Sequence, residues 1–296
     1  MGSNRRDLAA RLAAATGVTH AVGSVLNARR LRGDLVRAVN YHATPAADRE
    51  QLRRHLDYYL RHFAPLGEAD LTPFLAGALS LSRPGVLLTF DDGFRNNYDV
   101  AADVLDQFGV KGFFFVPAGF IQLSGNQSAA REFVSQNLYL GRPPADWGDA
   151  DYQPMSWDDL RDLIRRGHAV GCHGLNHVAL GPTTDERVLR REIIEAKSVL
   201  EGELGTQVSS FCWPFGTLPS YSRDAFALIR RHYRYAFTTF GAPLLVGDSP
   251  YVIDRASVES HMGLARAKWA VQGPAEIYLR NRRRRFAAIV DGVYAG

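Results

Sequence analysis

Four side chains in two short segments could do chemistry together. The first segment is Thr89-Phe90-Asp91-Asp92-Gly93, where two adjacent carboxylates end an apolar run. Side-by-side acids repel unless a cation separates their roles, one acid binding it and the other left free as a base. Asp-Gly is also a common turn pair, so the segment alone divides evenly between a site and a plain turn. The second segment is His173-Gly174-Leu175-Asn176-His177. At this i, i+4 spacing one helical turn would put both imidazoles on one face. Two imidazoles and one carboxylate form a common ligand set for catalytic zinc, with a position left open for water. A histidine pair alone is a weak signal, and a matching acid pair at another strand end strengthens it. A third segment, Phe211-Cys212-Trp213-Pro214-Phe215-Gly216, stops a strand with aromatics. Each residue alone reads as a hydrophobic turn on a rim. The wall of a substrate groove, with Trp213, Pro214 and Phe215, is the functional alternative. Cys212 has no partner base near it in sequence and reads as a small buried hydrophobe rather than a nucleophile.

These groups need a scaffold, and the chain alternates short apolar runs with helical stretches, the pattern of an α/β fold. Strands are expected at 35–41, 86–90, 113–116, 168–172, 208–213, 235–238 and 251–254. Helices are expected at 47–63, 97–108, 157–166 (with Ser156 and Asp159 as a capping box), from a Thr183/Glu186 cap to about 204, and at 222–231. Residues 120–154 read as a long loop-rich excursion. Its Tyr139, Trp147 and Tyr152 either shape a groove or pack the loop against the barrel. Seven strands alternating with helices close most naturally into a parallel barrel, a fold of about 250 residues. An open doubly wound sheet is the alternative. Either way, His42, Asp91, Asp92, Pro117, His173, Pro214, Thr239 and Arg255 fall at carboxyl ends of strands, where such folds do chemistry.

The composition of the 296 residues is that of a globular chain, with two cysteines and a net charge of +4. Disorder, coiled coil and disulfide miniprotein are excluded. The charge is unevenly placed. Residues 1–40 hold seven Arg against two Asp, and residues 263–296 hold six Arg and one Lys against one Glu and one Asp, each net +5. The body, 41–262, is net −6. A nucleic-acid partner would ask for a basic face on the folded body, so none is expected. The basic ends read as solvated helix faces, with weak peripheral contact to anionic lipid as the alternative. Polar residues and glycines interrupt 12–28, so neither a signal peptide nor a spanning helix is expected there. The expected location is cytoplasmic, peripheral at the inner membrane face if the ends bind lipid. Three units are read: a basic helical extension at 1–34, a barrel at 35–262 and a second basic helical extension at 263–296.

The motifs Thr89-Phe90-Asp91-Asp92-Gly93, His173…His177 and Trp213-Pro214-Phe215-Gly216 together resemble the polysaccharide deacetylase family (NodB homology, carbohydrate esterase 4). Asn97-Tyr98, the run Gly112 to Pro117, Met155-Ser156-Trp157 and the run Gly167 to Gly171 add to the likeness, which covers about 85–262 and more loosely 36–84. The resemblance implies a distorted (β/α)7 barrel and a metal-dependent hydrolase that removes N-acetyl groups from an amino sugar in a glycan, glycolipid or glycan precursor. It implies one divalent ion, zinc first, held by Asp92, His173 and His177, with Asp91 as the base that takes a proton from the activated water. Two positions depart from the family pattern. Cys212 stands where many members carry an Arg that steadies the catalytic Asp, and Arg255 is the substitute on offer. The late Leu-x-His motif that supplies the acid is not recognisable. His42 is preferred for that role over His261, because it resembles the early histidine of relatives whose barrel is circularly permuted. Trp213, Pro214, Phe215 and Arg255 are assigned to substrate. Removal of a formyl or other acyl group is the near alternative. A catalytically silent carbohydrate-binding barrel is the distant one, and a two-metal phosphoesterase is opposed by the single three-ligand set.

Overall fold

The computed structural model describes residues 35–182 and 184–294. The strands, in chain order, are β1 (Leu35–Tyr41), β2 (Ala64–Pro65), β3 (Gly85–Phe90), β4 (Phe113–Val116), β5 (Ala169–Cys172), β6 (Ser210–Cys212), β7 (Tyr235–Thr238), β8 (Leu244–Leu245) and β9 (Ile253–Ser257). Seven of them, all parallel, close in the order β1-β3-β4-β5-β6-β7-β9 and back to β1. The barrel is therefore closed, and the open sheet is set aside. β2 lies beside β3, and β8 runs antiparallel on β1.

The barrel strands are apolar on both faces because both faces are covered. Phe113 and Phe115 point into one buried cluster, with Leu87, Phe237 and Ile253. Phe114 and Val116 point into the other, with Leu88, Val170 and the surrounding helices. This is the two-residue alternation of a strand splitting one run between barrel interior and outer layer. The helix Glu68–Leu75 buries Leu71 and Phe74 in the interior cluster.

Outer helices form where periodicity places them. Arg49–His62 buries Leu52, Leu56 and Tyr59, and Trp157–Arg165 starts on the Ser156/Asp159 capping box. The expected cap Thr183 lies outside the described residues, and Asp185 accepts from the Arg187 amide at that helix start. Three helical stretches contain π-helical turns, at Asn97–Ala102, Arg191–Glu195 and, as the end of the helix Gln127–Phe133, Val134–Leu138. The excursion 120–154 is loop over 122–126 and 139–148, and the rest is more ordered than expected. It contains the helix Gln127–Phe133, capped by Asn126, and buries Phe120, Phe133 and Tyr152 with Phe94 in a small core of its own. The density of Gly, Pro, Asn and Asp hid these elements.

The last strand also differs from expectation. It begins at Ile253, because Tyr251 and Val252 belong to a turn in which the Val252 amide donates to Ser249 O. Arg255 is thus inside a strand, since its charge is neutralised within the barrel. The expected extension 263–296 contributes helices Leu264–Gln272 and Pro274–Tyr294, whose Ala267, Val271, Phe286 and Val290 join the main core. The expected extension 1–34 lies outside the described residues.

Candidate active site

β3 delivers the acid pair. The Asp91 amide still donates to Tyr41 O of β1 (2.8 Å), and the chain then turns through Asp92 (φ 72°) and Gly93 (φ 75°). A left-handed Asp costs about 1–2 kcal/mol, and it aims the two carboxylates in different directions. Asp91 is buried and held by a fork. Arg255 Nη1 donates to Oδ1 at 2.6 Å and Nη2 to Oδ2 at 2.8 Å. The same guanidinium donates to Thr89 Oγ1, to Thr238 O and to Cys212 Sγ (2.8 Å). Burial alone would raise the Asp91 pKa. Arg255, then His173 and His42, outweigh it and hold the carboxyl below its ordinary value.

β5 delivers the histidines. His173 follows Cys172 directly, and its Nδ1 donates to Cys212 O at 2.8 Å. His177 Nδ1 donates to Asn137 O at 3.0 Å. With both Nδ1 atoms tied to carbonyls, both Nε2 atoms turn to Asp92 Oδ1, at 3.6 and 3.7 Å. No helix brings them together, contrary to the i, i+4 expectation. Residues 173–177 form a tight loop with Gly174 at φ 85° and His177 at φ 55°. The buried Glu192 sets that loop, its Oε2 accepting from the Leu175 and Asn176 amides at 2.9 Å each. A Cβ on Gly174 would sit 2.8 Å from this oxygen, so glycine serves both the turn and the approach. Each π-helical turn supplies one grip on the site: Asn97 Nδ2 donates to Asp91 O, Asn137 accepts from His177 and donates to Asn176 O, and Glu192 holds the histidine loop.

The donor set fits a divalent ion. The ligand atoms of Asp92, His173 and His177 all lie within 4.8 Å of one another. Ligands about 2.0–2.1 Å from a tetrahedral zinc are themselves about 3.4 Å apart, close to the separations seen. Carbonyl-anchored Nδ1 atoms are the usual outer support for metal-binding imidazoles. Asp92 is ionised, its carboxyl held far below the ordinary range: burial opposes this, and His173, His42 and His177 prevail. Burial would lower His173, but Cys212 and Asp92 beside it raise it well above its ordinary value. Burial and the charge of His173 bring His177 down to about 4. Asp91, His173 and Cys212 also cluster, but the Arg255 guanidinium already fills the cation position there.

These groups open on a cavity of about 1090 Å³ at the carboxyl ends of the strands. His42 lines it half-buried, with Nδ1 2.9 Å from Glu259 Oε1. Burial would lower its pKa, yet Glu259, with Asp92 and Asp91 behind, pushes it up to about 10. His261 lines the same cavity from an exposed position. Trp213 lines it almost wholly buried, with its Nε1 unpartnered among the described residues. Phe215 (φ 63°) stacks edgewise on His177 at 4.4 Å. Pro214 is buried behind these two and is not on the cavity wall. Arg255, assigned to substrate, instead spends its guanidinium on Asp91. Tyr139, Trp147 and Tyr152 pack the excursion down, Tyr139 and Trp147 against Phe94 and Tyr152 against Trp147, and Tyr139 and Trp147 also line the cavity. Sequence reading missed Glu259, two residues before His261, and Glu192, which one helical face buries without any visible signal.

The barrel's strand ends gather an acid braced by Arg255 beside an acid and two imidazoles whose ligand atoms could hold a metal ion. The polysaccharide deacetylase model matches residues 79–233, just over half of the sequence, and the chain belongs to that family of amidohydrolases of non-peptide carbon–nitrogen bonds. The match includes Asp91, Asp92, His173 and His177, and leaves out His42, Arg255 and Glu259. The structure resembles IcaB from Ammonifex degensii (22% identity, 82% of this chain and 98% of that one, TM-score 0.63). It also resembles the deacetylase PplD of Streptococcus pyogenes in complex with acetate (15% identity, 81% and 98%, TM-score 0.63). A third similar structure is the de-N-acetylase from Aggregatibacter actinomycetemcomitans (14% identity, 80% and 100%, TM-score 0.61). These likenesses fix the fold. Among curated proteins, a gellan lyase of a Bacillus species is 25% identical over 130 residues, which is 44% of this chain and only 4% of that protein's length.

Proposed function

We propose that this chain removes N-acetyl groups from an amino sugar in a glycan, glycolipid or glycan precursor. One observation carries the reading: a single cavity holds an acid kept ionised by Arg255 next to an acid turned towards two imidazoles. Asp92, His173 and His177 would hold one divalent ion, zinc first, which when bound supplies an activated water and polarises the amide carbonyl. Asp91 is the general base that accepts the water proton, and Arg255 keeps it ionised and oriented. His42, protonated against Glu259, hands a proton to the leaving amine, with His261 on the rim as the second candidate. Phe215, the less buried of the two aromatics on the wall, offers a face to the sugar, and Trp213 supports the wall from its buried position. The acetyl group is favoured over formyl by the relatives, one solved with acetate and one described as a de-N-acetylase. A silent barrel was suggested by the missing arginine at position 212 and the missing late Leu-x-His motif; Arg255 on Asp91 and His42 on the cavity wall speak for the enzyme instead.

The test is elemental analysis of the purified chain combined with acetate release from acetamido sugars. Wild type is expected to carry about one divalent ion, lost in His173→Ala and Asp92→Asn. Asp91→Asn is expected to keep the ion and lose turnover by about 10²–10⁴-fold, the usual worth of a positioned base. A protein that takes up neither zinc nor cobalt would overturn the reading.

A further inference from the structure

We propose that the helix Pro274–Tyr294 docks the mouth of the catalytic cavity on an anionic lipid bilayer. The helix is fixed beside that mouth. Its Phe286 is fully buried against Tyr221 (4.7 Å) and Phe240 (5.2 Å), and reaches the cavity-lining Trp213 (6.5 Å). Arg283 Nε is anchored 2.8 Å from Asp254 of β9. Arg282, the neighbour of that anchor, lines the cavity itself, as does Arg266 from the helix Leu264–Gln272.

The rest of the arginine run has no such internal task. Arg280, Arg284 and Arg285 are exposed, and none of them forms an ion pair with an acid of residues 35–182 or 184–273. Arg280 and Arg284 stand one turn apart, a like-charge pair that weakens an isolated helix. At 100° per residue all three point away from the Phe286–Val290 face. An anionic surface relieves that repulsion. The body of the chain, net −6, is repelled by the same surface, so among the described residues the arginine edge approaches first and the mouth beside it is turned towards the lipid. On the excursion side of the cavity, Leu140 is 64% exposed with φ 49°, directly after the cavity-lining Tyr139. It supplies an apolar tip to enter the headgroup layer. No described helix is long and apolar enough to cross a membrane, and the proposed contact is a surface one. The substrate class rests on the deacetylase reading: an acetamido sugar carried on a lipid, presented at the surface of an anionic leaflet.

The test is flotation of the full chain with phosphatidylcholine vesicles containing about 30 mol% phosphatidylglycerol, against pure phosphatidylcholine. Wild type is expected to float with the anionic vesicles alone, and to be released on raising salt from about 0.1 to about 0.5 M. Each arginine is worth about fivefold in partitioning, so Arg280→Gln/Arg284→Gln/Arg285→Gln should lose roughly a hundredfold. That variant should keep wild-type thermal stability, metal content and turnover of a water-soluble acetamido sugar. Leu140→Ser should weaken binding without changing its salt dependence. Wild type that stays unbound overturns the proposal. So does a triple variant that floats as well as wild type, which would transfer the contact to the arginines of residues 1–34. Floating without any acyl release leaves docking in place and removes the deacetylase reading instead.

Discussion

Around Asp91, the brace comes from Arg255 alone. The position where the resemblance leads one to expect an arginine holds the Cys212 thiol, and the guanidinium arrives from β9, donating to Asp91 through both terminal nitrogens and to the thiol sulfur beside it. The brace is therefore a question of where the charge ends up. Arg255→Ala leaves a buried carboxylate without its partner and should lower kcat by about 10²–10³-fold, in the range of a lost charge-assisted contact at a reacting group. Cys212→Arg in that background places a guanidinium stem beside the vacated space and should recover part of the loss. A double variant no better than Arg255→Ala would show that the position of the arginine, and not merely its charge, is required. At this scale the sequence was informative wherever types and spacing suffice. The acid pair, the histidine pair and the need for a substitute arginine were all legible. The His42–Glu259 pair was not, because its members are 217 residues apart and nothing local links them. Pro214 was misplaced because a strand-end motif does not say which of its residues faces the cavity.

The elements show a regularity that no residue pattern announced. All three π-helical turns among the described residues carry a side chain or carbonyl that grips the acid or histidine loop. A π turn inserts one residue into a helix and redirects the residues beyond it, a device frequent at functional sites. It leaves apolar periodicity nearly intact, which is why the helices near 97–108 and 186–204 were legible and the turns inside them were not. The strands were legible for the opposite reason, since a barrel strand covered on both faces is a continuous apolar run. The histidine spacing misled, because Gly174 and Glu192 fold as a loop what the interval alone suggests is a helix. Glu192 now becomes testable as a positioning residue. Glu192→Ala frees the Leu175 and Asn176 amides and should weaken metal binding about 10–100-fold, the usual effect of removing an outer support, as read by cobalt absorbance. Glu192→Gln retains an acceptor oxygen and should restore most of the affinity. Equal cobalt affinity in wild type and the alanine variant would assign Glu192 to packing alone.

On the scale of the molecule, two histidines remote from the cavity tie the layers together in the neutral state. His55 Nε2 donates to Met262 O and its Nδ1 faces the Tyr41 hydroxyl, joining an outer helix, β1 and the segment after β9. His168 Nδ1 accepts the Gly112 amide proton, joining the entries to β4 and β5. Protonation at Nδ1 would cancel the Gly112 bond and turn the Tyr41 contact around. Burial is the main cause that lowers both pKa values to about 4, against an ordinary 6.5. Above about pH 6.5 both histidines are neutral whether the chain is folded or not. Between about 6.5 and 4 the unfolded chain takes up two protons that the fold refuses, so the fold loses stability as pH falls through that window. Below about 4 this contribution is exhausted. Denaturant midpoints measured from pH 7 to pH 4 should fall accordingly. His168→Gln keeps an acceptor for Gly112 without a titrating group, and should flatten the part of the slope that His168 supplies. A slope unchanged in His168→Gln and His55→Gln would place the acid sensitivity elsewhere, in the carboxylates that the arginines hold.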